Sequence, residues 1–275
     1  MSDFELAHAY DTVNLHRRGG AALIELNRPD RLNAWNRQFG IDLLAALESV
    51  AQDDEVRAVA IRGAGRAFSS GADLNSLGEG SEDDVTPAGR PDVYKVLTER
   101  YHPIITGIRR MPKPVLAAVN GAAVGIGCSL ALASDLIVAA ESAYFLLAFV
   151  NIGLVPDGGS SLFVPTRVGL ARAAEMSLLG ERVPAAKAVE WGLANQVHPD
   201  GEFDAAVLGL LDRLASGPTK SYAGTKRQLN AWLYERMDAQ LELEATIQQE
   251  MAESDDFVEG ALAFVQKRSA GFHGR

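Results

Sequence analysis

The chain has 275 residues, 47% of them hydrophobic and 23% charged, with a formal net charge of −10. This is an ordinary globular composition for one large domain, or one domain with a small appendage, and the acidic balance argues against a nucleic-acid scaffold, which needs a basic face. One cysteine, Cys128, excludes an intramolecular disulfide, the opening MSDFELAHAYD has no signal-peptide core, and no run approaches the ~20 apolar residues of a membrane span. Together these predict a cytoplasmic protein.

In chain order, VNLHRR and AALIEL read as two strands joined at Gly19-Gly20 in a hairpin or tight turn. NRPDRLNA (27–34) is a loop in which Pro29 fixes the backbone and Asn33 is placed to cap the next helix. Apolar residues at Phe39, Leu43, Leu47 and Val50 predict an amphipathic helix over 35–52. VRAVAIRG (56–63) predicts a buried strand, and residues 78–92, rich in Gly, Pro and acids, a surface loop. A helix then runs to about Arg110, MPKPVLAAVNG supplies another strand and SDLIVAA a further one. After Asp157 the chain reads as helix after helix. Alternating strand and helix with a helical tail predicts an α/β core with a mainly helical C-terminal extension.

Motifs for common chemistries are missing. Gly63 and Gly65, and again Gly125 and Gly127, start a dinucleotide fingerprint whose third glycine falls on Phe68 or Leu130. The five histidines are scattered without ligand spacing, so no metal site is expected, and His102 reads as a packing or solvated residue of its helix. Two glycine turns remain, AFSSGADL (67–74) and GAAVGIG (121–127), each after an apolar strand and the second opening into a helix. Amides at a helix start are unpaired and lie at the positive end of its dipole, and small residues let a ligand approach them. Two such turns brought together would make an oxyanion hole that needs no polar side chains. The plainer alternative is two tight turns built of glycine for geometry alone.

LNRPDRLNA, GAGRAFSSGADL, KPVLAAVNGAAVGIGCSLALASDLIVA, FVNIGLVPDGGSS and AFVQKRSAGFHGR resemble, in order, the motifs of the enoyl-CoA hydratase/isomerase (crotonase) family. The resemblance implies an α/β crotonase-like coil of β-β-α units over 1–200, carrying the acyl-CoA site. It also implies a helical region over 201–275 that builds a homotrimer, often paired into a hexamer. The oxyanion donors would be the amides of Ala72 and Ile126. Arg31 and Leu32 would touch the CoA phosphates and pantetheine. Asp73, Leu74, Gly125 and Phe149 are further substrate-binding candidates, with Asp73 also steadying its turn, and the 78–105 segment would line part of the acyl pocket. Phe264 and Lys267 match residues that complete a neighbouring subunit's adenine and phosphate site; the ordinary alternatives are a core aromatic and an exposed lysine. No cofactor is implied, because CoA belongs to the substrate.

The resemblance breaks where water is handled. Hydratases of the family use two glutamates, and this chain has Ser129 and Phe149 at those positions, neither of which relays protons as a carboxylate does. One acid stands nearby, Asp157, where relatives that move double bonds and a dehalogenase subgroup also carry an acid. Burial among Leu154, Val155 and Phe149 should raise its pKa toward a useful base; otherwise it caps the helix beginning at GGSSLF. The expectation is an isomerase that converts 3-enoyl-CoA to 2-enoyl-CoA with Asp157 as proton shuttle. The alternatives are an enoyl-CoA hydratase and a non-catalytic acyl-CoA-binding homologue.

Overall fold

The structure is a computed structural model that describes residues 3–74 and 84–275; the predicted-loop residues 78–83 lie outside that range. Val13–Arg18 (β2) and Ala21–Leu26 (β3) form the predicted hairpin through Gly19, whose φ of +53° suits a residue without Cβ. Glu5–Ala9 (β1) pairs antiparallel with β2. All of its side chains are exposed, so it has no apolar alternation by which to predict it.

Beyond β3 the sheet becomes parallel, continuing through Ala58–Gly63 (β4), Val115–Val119 (β6), Leu136–Ala140 (β8) and Gln196–His198 (β11). The inner strands β4 and β6 are almost wholly buried apolar runs, as a strand covered on both faces must be. A second sheet holds Ala67–Ser69 (β5), Ala122–Val124 (β7), Tyr144–Leu146 (β9) and Val183–Pro184 (β10), in the order β10-β9-β7-β5. The chain therefore steps from large sheet to small sheet three times, β4 to β5, β6 to β7 and β8 to β9. This is the predicted coil of β-β-α units in an α/β fold. The two glycine turns are not turns alone, because each contains a three-residue strand. β10 and β11 likewise interrupt the stretch predicted as mainly helical. Strands this short carry no readable period.

Arg37–Gln52 (α1) starts two residues later than its apolar pattern, because Asn36 accepts from the Phe39 amide at 2.9 Å and caps it. Asn33 does not cap. Its side chain accepts from the Arg28 amide and donates to the Ala64 and Ala67 carbonyls, all at 2.9 Å, which pins the 28–34 loop onto β5. The helix predicted up to Arg110 is three pieces: Val93–Val96 (α2), a π-helical turn at Leu97–Tyr101, and His102–Arg110 (α3). Ile126–Ala133 (α4) is buried at every position. Ser160–Leu179 (α5) breaks at Gly169, where φ is +77°. The tail comprises Ala185–Glu190 (α6), Asp200–Ser216 (α7), Thr219–Leu233 (α8), Met237–Ala252 (α9) and Asp255–Val265 (α10). α7 packs on β4, β8 and β11, while α9 packs on α2 and α5. Asp135 ties α3 to α8 through Arg109 at 3.1 Å and Lys226 at 2.7 Å.

Candidate active site

The site is assembled where β5 and β7 run parallel and end side by side. Trp35 donates its amide to the Gly71 carbonyl and accepts from the Asp73 amide, at 2.8 and 2.9 Å. In a parallel bridge this pattern turns the N–H of the residue between, Ala72, away from Trp35. Ile126 opens α4, so its N–H has no partner within the helix. Among the described residues neither amide donates a hydrogen bond.

Glycines let the two backbones meet just before these residues. A Cβ on Gly71 would lie 2.9 Å from the Val124 carbonyl oxygen and 3.8 Å from the Gly125 Cα, so the two backbones touch immediately before Ala72 and Ile126. Gly125 has φ +53° and ψ −127°, a backbone that side chains disfavour, and this sets the angle at which α4 begins. Phe149, 7% exposed, places its ring edge 4.0 Å from where a Gly125 Cβ would be.

Asp157 enters from the turn before α5. A Cβ on its neighbour Gly158 would lie 2.4 Å from the Ile126 Cδ1 and 3.0 Å from the Ser129 Cβ, so this turn packs directly on the first turn of α4. Ser129 fastens it by donating to the Asp157 carbonyl at 2.7 Å, and Ser160 donates to the same oxygen at 2.8 Å. Asp157 is 5% exposed; Oδ2 accepts from Gln248 at 2.8 Å, and Oδ1 is buried without a partner among the described residues. Burial first, then the nearby Glu244 carboxylate, push its pKa up to about 8, opposed by the Gln248 hydrogen bond. The carboxylate does not cap α5. That helix receives Glu244, which accepts from the Gly159 amide at 2.7 Å and the Ser161 amide at 3.0 Å.

Other predicted residues lie near this centre or away from it. Leu32, with φ +52°, accepts from the Ser70 amide at 3.0 Å, which sets Leu32 and exposed Arg31 beside the strand leading to Ala72. Asp73 is buried and pairs with Arg28 at 3.0 Å, as a residue steadying its turn should; Leu74 is half-buried. Phe264, on α10, is 59% exposed and is no core aromatic, and Lys267 comes just after that helix in the left-handed region, exposed. His102 is buried, and burial pushes its pKa down to about 4, so it is neutral. Cys128 is core, its thiol pushed up to about 12 by burial.

Three residues of this site escaped the sequence reading. Tyr101 stacks edge-on against Trp35 at 5.1 Å, and its hydroxyl is held above the ordinary tyrosine range by burial and by facing Asp157. Glu244 and Gln248 lie about 90 residues after Asp157 in ELEATIQQ, a sequence that reads as an ordinary polar helix face. The only signal was their shared spacing with Leu241 and Ala245, which marks the buried face of α9.

With this geometry in view, comparison with known proteins is consistent. The enoyl-CoA hydratase/isomerase family model matches residues 16–275. The chain is 41% identical over 267 residues to a probable enoyl-CoA hydratase of Rhodobacter capsulatus, covering 97% of this chain and 100% of that protein. It is 38% identical over 261 residues to the 1,2-epoxyphenylacetyl-CoA isomerase of Escherichia coli K12, covering 94% and 97%. A crystal structure of an enoyl-CoA hydratase from Mycobacterium avium subsp. paratuberculosis K-10 superposes with a TM-score of 0.86 at 39% identity, covering 96% of this chain and 100% of that one. The chain belongs to the enoyl-CoA hydratase/isomerase (crotonase) family.

Proposed function

We propose that the protein is an acyl-CoA isomerase that converts a 3-enoyl-CoA to a 2-enoyl-CoA. Asp157 removes a proton from C2 of the thioester. The negative charge spreads to the thioester oxygen, which accepts hydrogen bonds from the Ala72 and Ile126 amides; each such donor is typically worth ~3–4 kcal/mol in the transition state. Asp157, now protonated, delivers the proton to C4, and the double bond has moved.

The observation that carries this reading is the buried Asp157 carboxylate, one of whose oxygens has no partner among the described residues, near two amides that donate to none of them. A pKa near 8 makes Asp157 a far better base at neutral pH than an ordinary aspartate. Its relatives include proteins named as hydratases and as isomerases. Hydration is disfavoured here because Ser129 is wholly buried with its hydroxyl committed to the Asp157 carbonyl, and Phe149 offers no proton.

The reading extends to the CoA end: Arg31 and Leu32 meet the pantetheine and phosphates, and Phe264 and Lys267 complete a neighbour's site in a homotrimer or hexamer built through 201–275. Support comes from the exposure of Phe264, and of Trp232 at 85% on α8, large apolar surfaces that suit a subunit contact. The test compares wild type with Asp157→Asn on 3-enoyl-CoA and 2-enoyl-CoA. Equal isomerisation in both proteins overturns the assignment, and crotonyl-CoA hydration at enzymatic rates would return the chain to the hydratases. A protein that binds the thioester but exchanges no solvent deuterium into C2 or C4 would be the non-catalytic homologue.

A further inference from the structure

We propose that Gln248 and Glu244 of α9 are positioning residues that hold Asp157 with one carboxylate oxygen anchored and the other bare for a substrate proton. Gln248 is a bridge: its Oε1 accepts from the Val155 amide at 2.9 Å while its Nε2 donates to Asp157 Oδ2 at 2.8 Å. The side-chain amide cannot turn over without breaking both buried bonds, so it presents an N–H to the carboxylate and fixes its plane. The other oxygen, Oδ1, is buried and without a partner among the described residues. A buried acceptor left open is costly unless a ligand group meets it, and a proton shuttle needs such an open oxygen.

Glu244, one helical turn earlier on the same face, accepts from the Gly159 and Ser161 amides. Gln240, a further turn back, donates to the Ser161 hydroxyl at 2.7 Å. Three successive turns of α9 thus fasten the 155–161 segment on which Asp157 rides. The titratable groups facing Asp157 are Glu244 from α9 and Tyr101 from the π-helical turn, while Ser129 of α4 contributes only a neutral hydroxyl to its carbonyl. The two α9 side chains act in opposite directions: the Gln248 N–H favours the ionised carboxylate, and the Glu244 charge opposes it.

This inference rests on the isomerase reading only for its kinetic consequence, so its test has two arms. In the first, the Asp157 carboxyl is titrated by ¹³C NMR of aspartate-labelled protein, the signal assigned by its loss in Asp157→Asn. Gln248→Leu should move the titration to higher pH and Glu244→Gln to lower pH, each on the order of one pH unit. In the second arm, Gln248→Leu should lower kcat for 3-enoyl-CoA isomerisation on the order of 10²-fold with KM little changed. Its kcat/KM profile should shift in the same direction as the NMR titration. If Glu244→Gln does not fold, Gln248→Leu alone decides.

Titrations that stay at the wild-type position, or move together in one direction, overturn the proposal. A wild-type protein that isomerises nothing, yet shows the opposed NMR shifts, leaves the α9 clamp standing and removes the isomerase reading.

Discussion

Gly71 and Gly125 stand back to back, so close that a Cβ on Gly71 would lie 3.8 Å from the Gly125 Cα. The contact brings the two backbones together at the residues immediately before Ala72 and Ile126. Gly125→Ala tests it. The new methyl has room, its nearest neighbours being about 4 Å away, but φ +53° and ψ −127° do not suit alanine. Relaxing that strain tilts the start of α4. The expected outcome is a loss of kcat of roughly 10²–10³-fold and a stability loss of about 1–3 kcal/mol, read by isomerase assay and urea denaturation.

The raised pKa of Asp157 gives the activity a defined pH dependence. A base must be ionised to act, so kcat/KM should rise tenfold per pH unit below about 8 and level off above it. Asp157→Asn should lower kcat by roughly 10²–10⁴-fold, leave KM for the thioester little changed, and remove the limb. A wild-type profile flat from pH 5 to pH 9 would contradict the role.

The same group sets a stability slope of opposite sense. Its folded pKa, about 8, lies above the unfolded value, so the stability it contributes is present below pH ~4 and is lost as pH rises through about 8. Glu244, pushed up to about 7 by burial, adds a slope of the same sign. Asp157→Asn should therefore be more stable than wild type at pH 8 and above, on the order of a few kcal/mol, with the gain vanishing toward pH 4. Thermal denaturation of both proteins across that range measures it.

Glu244 also holds the start of α5. Glu244→Ala leaves the Gly159 and Ser161 amides without their acceptor, and a cost of about 1–3 kcal/mol in urea unfolding is expected. Glu244→Gln keeps one acceptor oxygen and should cost less.

Introducing a carboxylate where the hydratases carry one should not create a hydratase. Ser129 is wholly buried, and its hydroxyl holds the Asp157 carbonyl. Ser129→Glu should abolish isomerisation and lower the melting temperature, with no crotonyl-CoA hydration appearing. Gain of hydration in a folded Ser129→Glu protein would show that the α4 turn has room for two carboxylates.

Long apolar runs and glycine turns were legible because their signal is local. The strands β3, β4, β6 and β8 and the helix α1 emerge directly from runs and spacing. β1 has only exposed side chains, and β5, β7, β9, β10 and β11 are two or three residues long, pairing with strands distant in sequence. Nothing within such a stretch distinguishes it from loop. Asn33 was misread for a related reason: a polar residue before a helix suits a cap, but its amide spans the loop to Ala64 and Ala67 instead.

By itself the sequence determined the family and the alternation of strand and helix, and it pointed to the backbone amides and the aspartate of the proposed site. Those properties come from residue types in order, such as the glycines of GAAVGIG and the acid of GLVPDGG. Only the tertiary structure decided the environment of that aspartate. Asp157 is anchored because Gln248 arrives from 91 residues away, and it is hard to ionise first because the fold buries it and second because Glu244 comes with it. Desolvation and charge coupling depend on distances in space, which the order of residues along the chain does not contain.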